Sequence, residues 1–225
     1  MKRIMNKNNG NRISMTIITL VISLIFIAGC ATTSGTERNV AAAVTMVQVE
    51  EDIKVLLLEL SATNSALASI VNPLQDEIET AYGIFVEGTD PLEAASEQFI
   101  TQSREMSSQG RAYFAEWRID GDTYSNPQIR ELSEQLRSDL SQQYIKISES
   151  SVGIEGELRE YVSNINQIQV YFSNDLTVRG ITAISPIANR TILDGFELSV
   201  KLRDLLESVE IARGVLSPNS TVSYQ

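Results

Sequence analysis

Histidine is absent from this sequence, and cysteine occurs once, at position 30. A lone cysteine forms no disulfide within the chain. Without histidine, zinc sites of the Cys and His type are excluded, as are Ser-His and Cys-His nucleophile pairs. Chemistry is left to carboxylates, Lys, Tyr and Ser, and no catalytic constellation of these stands out. The expectation is therefore a protein that is not an enzyme, with no cofactor and no metal site. Cations are scarce too: 18 Lys and Arg stand against 29 Asp and Glu. Nucleic acid needs clustered Lys and Arg along a face, so it is not an expected partner. Only five prolines interrupt 225 residues, which leaves room for long helices.

The first 29 residues read as a signal rather than as part of a domain. They hold Lys2, Arg3, Lys7 and Arg12 and no acid. An apolar run from Ile13 to Ile27 follows, broken only by Ser14, Thr16, Thr19 and Ser23. It is shorter than the roughly 20 residues a membrane-spanning helix needs. A basic start, a short apolar stretch and small residues at its end are the layout of a secretory signal. The run closes Ile27-Ala28-Gly29-Cys30, which resembles the lipobox read by bacterial lipoprotein-processing enzymes. That resemblance implies a diacylglyceryl group on the Cys30 thiol, cleavage before Cys30 and acylation of the new amine. Ile27, Ala28 and Gly29 would serve signal recognition. Each buried methylene contributes about 0.8 kcal/mol, so two or three chains anchor stably where one would not. Without Lys2, Arg3, Lys7 and Arg12, 14 basic side chains face 29 acidic ones, a mature charge of −15. Such a surface gains little from anionic headgroups, so lipid must supply the membrane affinity. Ala31 follows the cysteine where an Asp would favour inner-membrane retention in a Gram-negative cell. The expected address is the outer membrane, facing the periplasm.

The mature chain divides into a lipidated linker at 30–39, a helical domain at 40–216 and a polar tail at 217–225. Asn72-Pro73, Asp90-Pro91, Asn126-Pro127 and Ser185-Pro186 each place a capping residue before proline, and each reads as a helix start. The segments between them carry helical periodicity. The first, from about Val40 to Tyr82, includes Val49, Ile53, Leu56, Leu60, Leu67 and Ile70, with a bend expected at Asn72-Pro73. The second spaces Leu92, Phe99, Met106 and Tyr113 by sevens. The third runs from Ile129 through Leu132, Leu136, Leu140 and Tyr144 to Phe172 in steps of three and four, with Gly153 and Gly156 at a suspected kink. The fourth carries Leu193, Phe196, Val200, Leu206 and Val209 on its expected apolar side. Strand alternation is missing. The expected fold is all-α: an elongated antiparallel bundle of about four long amphipathic helices with coiled-coil character, turning at 83–90, 119–126 and 174–185.

Phe114-Ala115-Glu116-Trp117 closes one helix, a leucine-spaced helix carries Leu136, Leu140 and Tyr144, and Val170-Tyr171-Phe172 precedes Leu176, Arg179 and Ile181. On these elements the chain resembles a family of bacterial helical lipoproteins known only as a domain of unknown function. The resemblance spans most of the mature chain and is best from about Phe114 to Ala212. It implies a helical coiled-coil fold and no established activity, so it assigns no catalytic residues. The family usually reads Leu-Phe-Leu-Lys-His-Asn-Leu-Asn where this chain reads Val-Tyr-Phe-Ser-Asn-Asp-Leu-Thr.

Two residues stand out as candidate partner contacts. Trp117, the single tryptophan, sits beside Tyr113 and Phe114, and such a cluster either anchors a partner or fills a core. Arg179 either contacts a partner or pairs with a carboxylate in the chain. Acid pairs such as Glu50-Glu51 read as a solvated face. The Asp120-Gly121-Asp122 stretch lacks the glycine-centred turn of an EF-hand and reads as a polar loop. The functional expectation is a membrane-anchored lipoprotein acting as a helical scaffold or adaptor of the envelope, with an envelope protein or its own copies as partner. The alternative is a carrier or chaperone for lipids or unfolded outer-membrane proteins, which needs an apolar cavity. A carboxylate hydrolase acting on glycan needs two facing acids in a cleft.

Overall fold

The computed structural model describes residues 35–72 and 78–216. The signal and lipid residues Ile27, Ala28, Gly29 and Cys30, the linker up to Ser34 and the tail from Ser217 lie outside the described residues. The unit from Gly35 onward holds four helices: α1 (Gly35–Val71), α2 (Ile78–Gly121), α3 (Pro127–Asn174) and α4 (Val178–Leu216). Among the described residues there is no strand. The helices pack as a ring, α1 on α2 and α4, and α3 on α2 and α4.

Cross-helix partners move in opposite directions along each neighbouring pair. On α2 and α3 the pairs run Glu93–Asn166, Glu97–Arg159, Ser107–Ser148 and Trp117–Ser133. On α1 and α4 they run Asn64–Ile192 and Glu50–Arg213. The bundle is antiparallel, as expected. Its axis is a continuous stripe from every helix: Met46, Ile53, Leu60 and Leu67 of α1, Phe85, Leu92 and Phe99 of α2, Leu158, Tyr161 and Ile165 of α3, and Leu202 and Val209 of α4 are at most 1% exposed. Each such side chain contributes about 1.5–3 kcal/mol relative to an exposed one.

Three boundaries differ from the sequence expectation. First, α1 begins at Gly35, inside the stretch read as linker, and ends at Val71, so the Asn72-Pro73 region separates two helices rather than bending one. Second, 83–90 is helix, and Pro91 lies inside α2. Proline there loses one backbone hydrogen bond, but Ala81, Phe85 and Thr89 continue the buried stripe of Leu92 and Phe99. Packing of that stripe outweighs the local capping preference of Asp90. Third, 178–185 is helix, and Pro186 lies inside α4. The working cap is Thr177, whose hydroxyl accepts from the Gly180 N–H at 3.1 Å. Asp175 Oδ1 in turn accepts from the Thr177 N–H and hydroxyl at 3.1 and 2.6 Å. A side chain at Gly180 would stand 2.6 Å from the Asp175 carbonyl oxygen, so only glycine fits this turn.

Asn126-Pro127 behaves as read. Asn126 has extended backbone, its side chain accepts from the Gln128 N–H, and Pro127 occupies the first turn of α3. α3 then continues unbroken through Gly153 and Gly156.

Candidate functional site

α3 is 48 residues long and α4 is 39, and this mismatch shapes one end of the bundle. Arg213 of α4 lies level with Glu50 of α1 at 2.9 Å. A few residues before Glu50, the Thr45 side chain lies beside the hydroxyl of Tyr144 on α3. The described part of α4 therefore ends, at Leu216, near the level of Tyr144. From Tyr144 back to Ile129 the α3 axis runs on for about 22 Å. The core-facing register of α3 persists over that length, while its cover does not. Tyr144 is buried and Leu140 half-buried, but Leu136, Leu132 and Ile129 are 47%, 59% and 51% exposed. These three were expected in the core. They stand exposed past the described end of α4, where α2 runs beside them and α1 reaches only as far as Gly35.

Trp117 sits at this same end of α2. Its indole N–H donates to Ser133 Oγ of α3 at 3.0 Å. Its ring stacks on Phe114 with an interplanar angle of 17°, and Phe114 meets Tyr144 edge-on at 5.6 Å. Trp117 is half-buried and lies level with Leu132 and Leu136 of that stripe. The Tyr144 hydroxyl donates to the Met106 carbonyl, and burial raises its pKa. Below Trp117 the α2–α3 turn is held by backbone bonds and by the Arg130 guanidinium, which donates to the Tyr124 carbonyl at 2.6 Å.

Arg179 lies at the other end of α3, about 60 Å away along the helix. It is exposed at the start of α4. The Asp175 carboxyl is held below the ordinary carboxylate range, first by the Thr177 hydroxyl, then by the Thr177 N–H, and least by the charge of Arg179. The structure thus separates Trp117 from Arg179, and they form no common site.

The acids divide differently from the sequence reading. Glu51 is exposed, as expected of a solvated face, but Glu50 is buried between Lys54 at 2.6 Å and Arg213 at 2.9 Å. Asp52 is half-buried, and burial raises its pKa against the opposing hydrogen bond from Gln98. A groove of about 740 Å³ between α2 and α3 contains Glu93, Glu97 and Arg159. Glu97 is held by Arg159 at 2.5 Å, and Glu93 accepts from Asn166 at 3.3 Å. Both acids project from one helix at a spacing of four and are tied to cross-helix partners, not arranged across a cleft.

Sequence reasoning missed a second apolar surface. Leu193, Phe196 and Val200 are 54–58% exposed, while Leu198, Leu202, Leu205 and Val209 form the buried side of α4. Two apolar stripes are interleaved on this helix, and the sequence reading mixed them, joining Leu193, Phe196 and Val200 of the outer one to Val209 of the inner.

These features define an all-α antiparallel four-helix bundle with apolar surface at one end and along one side. Comparisons with family models, curated proteins and solved structures find no match to the chain.

Proposed function

We propose that this chain is a membrane-anchored bacterial lipoprotein, held by lipid on Cys30 at the outer membrane and facing the periplasm, that serves as a non-enzymatic helical scaffold or adaptor. One observation carries the reading: Ile129, Leu132 and Leu136 continue the core register of α3 and are 47–59% exposed past the described end of α4. Apolar side chains at core spacing on a bare helix face mark a surface shaped for another polypeptide. The half-buried Trp117 beside it adds a rigid aromatic contact. The filled bundle axis favours a scaffold over a carrier of apolar molecules, which would need an apolar cavity between the helices. The resemblance to helical lipoproteins agrees with this reading and adds no activity to it.

In-cell cross-linking of the lipidated protein, followed by mass spectrometry, tests the proposal. The expected result is a cross-link from the Ile129–Leu136 face to another envelope protein, reduced at least tenfold by Leu132→Lys, with diacylglyceryl mass on Cys30. A bare residue 30 in the mature protein, or a tip that cross-links to no protein, overturns it.

A further inference from the structure

The segment Val40–Val71 is long and apolar enough, by composition, to cross a membrane, with a mean hydropathy of 1.3. One face of this segment is the core of the bundle, so its apolar character continues on the other. Val40, Val44, Val47, Val55 and Leu58 are 42–69% exposed. A helix that is apolar all round belongs in an interior. As a single copy of the bundle, α1 is not in one.

The surface extends onto α4. Asn64 of α1 donates to the Ile192 carbonyl of α4 at 3.3 Å, which fixes the level of the two antiparallel helices. One turn onward, Phe196 stands level with the Leu60–Ser61 turn, and Val200 stands level with Leu57 and Leu58. Leu193, Phe196 and Val200 are exposed on the outside of α4. Between Val55 and Ser69 the outward positions of α1 are Leu58 and small residues, including Ser61, Ala62 and Ser65. The charges fall at the margins: Glu59 at one edge, and Asp194 at the other, paired with Arg190 at 2.9 Å. Toward the N-terminal half of α1 come Glu51 and Lys54, joined to each other at 3.1 Å.

We propose that this α1–α4 face is the contact between two copies of the chain. Three arguments select a second copy. The chain is strongly acidic, so copies repel wherever charged faces meet, and this uncharged strip lets them meet without opposing like charges. Small residues around Leu58 let a partner helix approach closely while Leu58 and Phe196 provide the volume, and an isologous contact presents that same pattern to itself. The uncharged strip from Val55 to Ser69 across two helices covers about 500 Å² on each partner, about 1,000 Å² for the pair, the lower end for a specific contact, and Glu51 and Lys54 bound it before Val40–Val47. A membrane surface is the poorer occupant, because interfacial helices carry Lys and Arg at the rim where this face carries Glu59 and Glu197. This inference rests on α1 and α4 alone and is independent of the tip and of the lipid.

The test places a photo-cross-linking phenylalanine analogue at Leu58, at Phe196 or, as control, at exposed Glu149 on the opposite side, in the full-length chain in bacterial membranes. The expected result is a product of twice the chain mass, containing this chain alone, from Leu58 and Phe196 and not from Glu149. With the probe at Phe196, Leu58→Lys should reduce that product at least tenfold with the helical melting curve unchanged. Val200→Lys, with the probe at Leu58, serves as the second variant. Cross-links to lipid alone, cross-links to a different protein, or no doubled product each overturn the proposal.

Discussion

Gly110 of α2 lies against the Tyr144 ring, and a methyl group there would overlap the ring carbons. Tyr144 cannot retreat, because its hydroxyl donates to the Met106 carbonyl and its ring packs on Phe114. Gly153 and Gly156 of α3 are exposed, and a methyl group at either meets nothing within 4 Å. Helical glycine there costs backbone entropy without return. Gly110→Ala should therefore lower unfolding free energy by about 1–3 kcal/mol. Gly153→Ala and Gly156→Ala should each raise it by about 0.5–1 kcal/mol. Urea melts of the three variants check this, and a destabilising Gly153→Ala would mean that α3 needs glycine to bend. Asp52 yields a pH dependence. Its folded pKa lies above the ordinary 3.8, with burial as the first cause. The folded state therefore holds the proton more tightly than the unfolded chain, and stability falls as pH rises from 3.8 through the folded pKa. Above that window the ionised Asp52 carries its full penalty. Asp52→Asn should melt higher than the parent at pH 7, with the gap shrinking as the buffer is brought down toward pH 4. A gap that is constant with pH would assign the effect to something other than titration.

At the scale of the helices, the residues that read correctly are those where local and tertiary signals agree. Asn126-Pro127 caps α3 because side chain, proline and register all start there, and the stripe from Tyr144 to Phe172 is buried as its spacing requires. The misreadings fall where the signals conflict. Asp90-Pro91 and Ser185-Pro186 have cap chemistry, yet apolar residues on both sides belong to one buried face, and that burial exceeds the hydrogen bond lost to proline. Ser185 instead donates to the Ile181 carbonyl at 2.7 Å within α4. Displacing the turns by several residues hides the unequal lengths of α3 and α4, and with them the exposure of Ile129, Leu132 and Leu136. Periodicity shows that a face is apolar, while only the partner helix decides whether it is covered. The same limit explains α4, where Phe196 and Leu198 both fit helical spacing and differ only in what lies opposite. Trp117 was legible as an aromatic at core spacing, and it is half-buried against the core with its indole N–H bonded to Ser133.

Across the whole bundle, one buried polar residue ties three helices together. Asn64 of α1 is 3% exposed, accepts from the Tyr161 hydroxyl of α3 at 2.8 Å and donates to the Ile192 carbonyl of α4. Gly195 makes room for its amide. Apolar stripes alone would tolerate one helix sliding by a turn against another, since Leu and Ile repeat at the same spacing on each. The Asn64 amide is satisfied at one register only, which fixes the levels of α1, α3 and α4 and so the length of α3 left uncovered at the tip. Asn64→Leu keeps the volume but leaves the Tyr161 hydroxyl buried without its acceptor, at a cost of about 1–3 kcal/mol. Tyr161→Phe strands the amide oxygen of Asn64 at a similar cost. Because replacing both partners by apolar groups of like shape removes the unsatisfied atoms, the double variant should be destabilised by clearly less than the sum of the two singles. Chemical denaturation of all four proteins gives the coupling directly. Additive losses would show that the bond between α1 and α3 contributes nothing, and that bundle register rests on apolar packing alone.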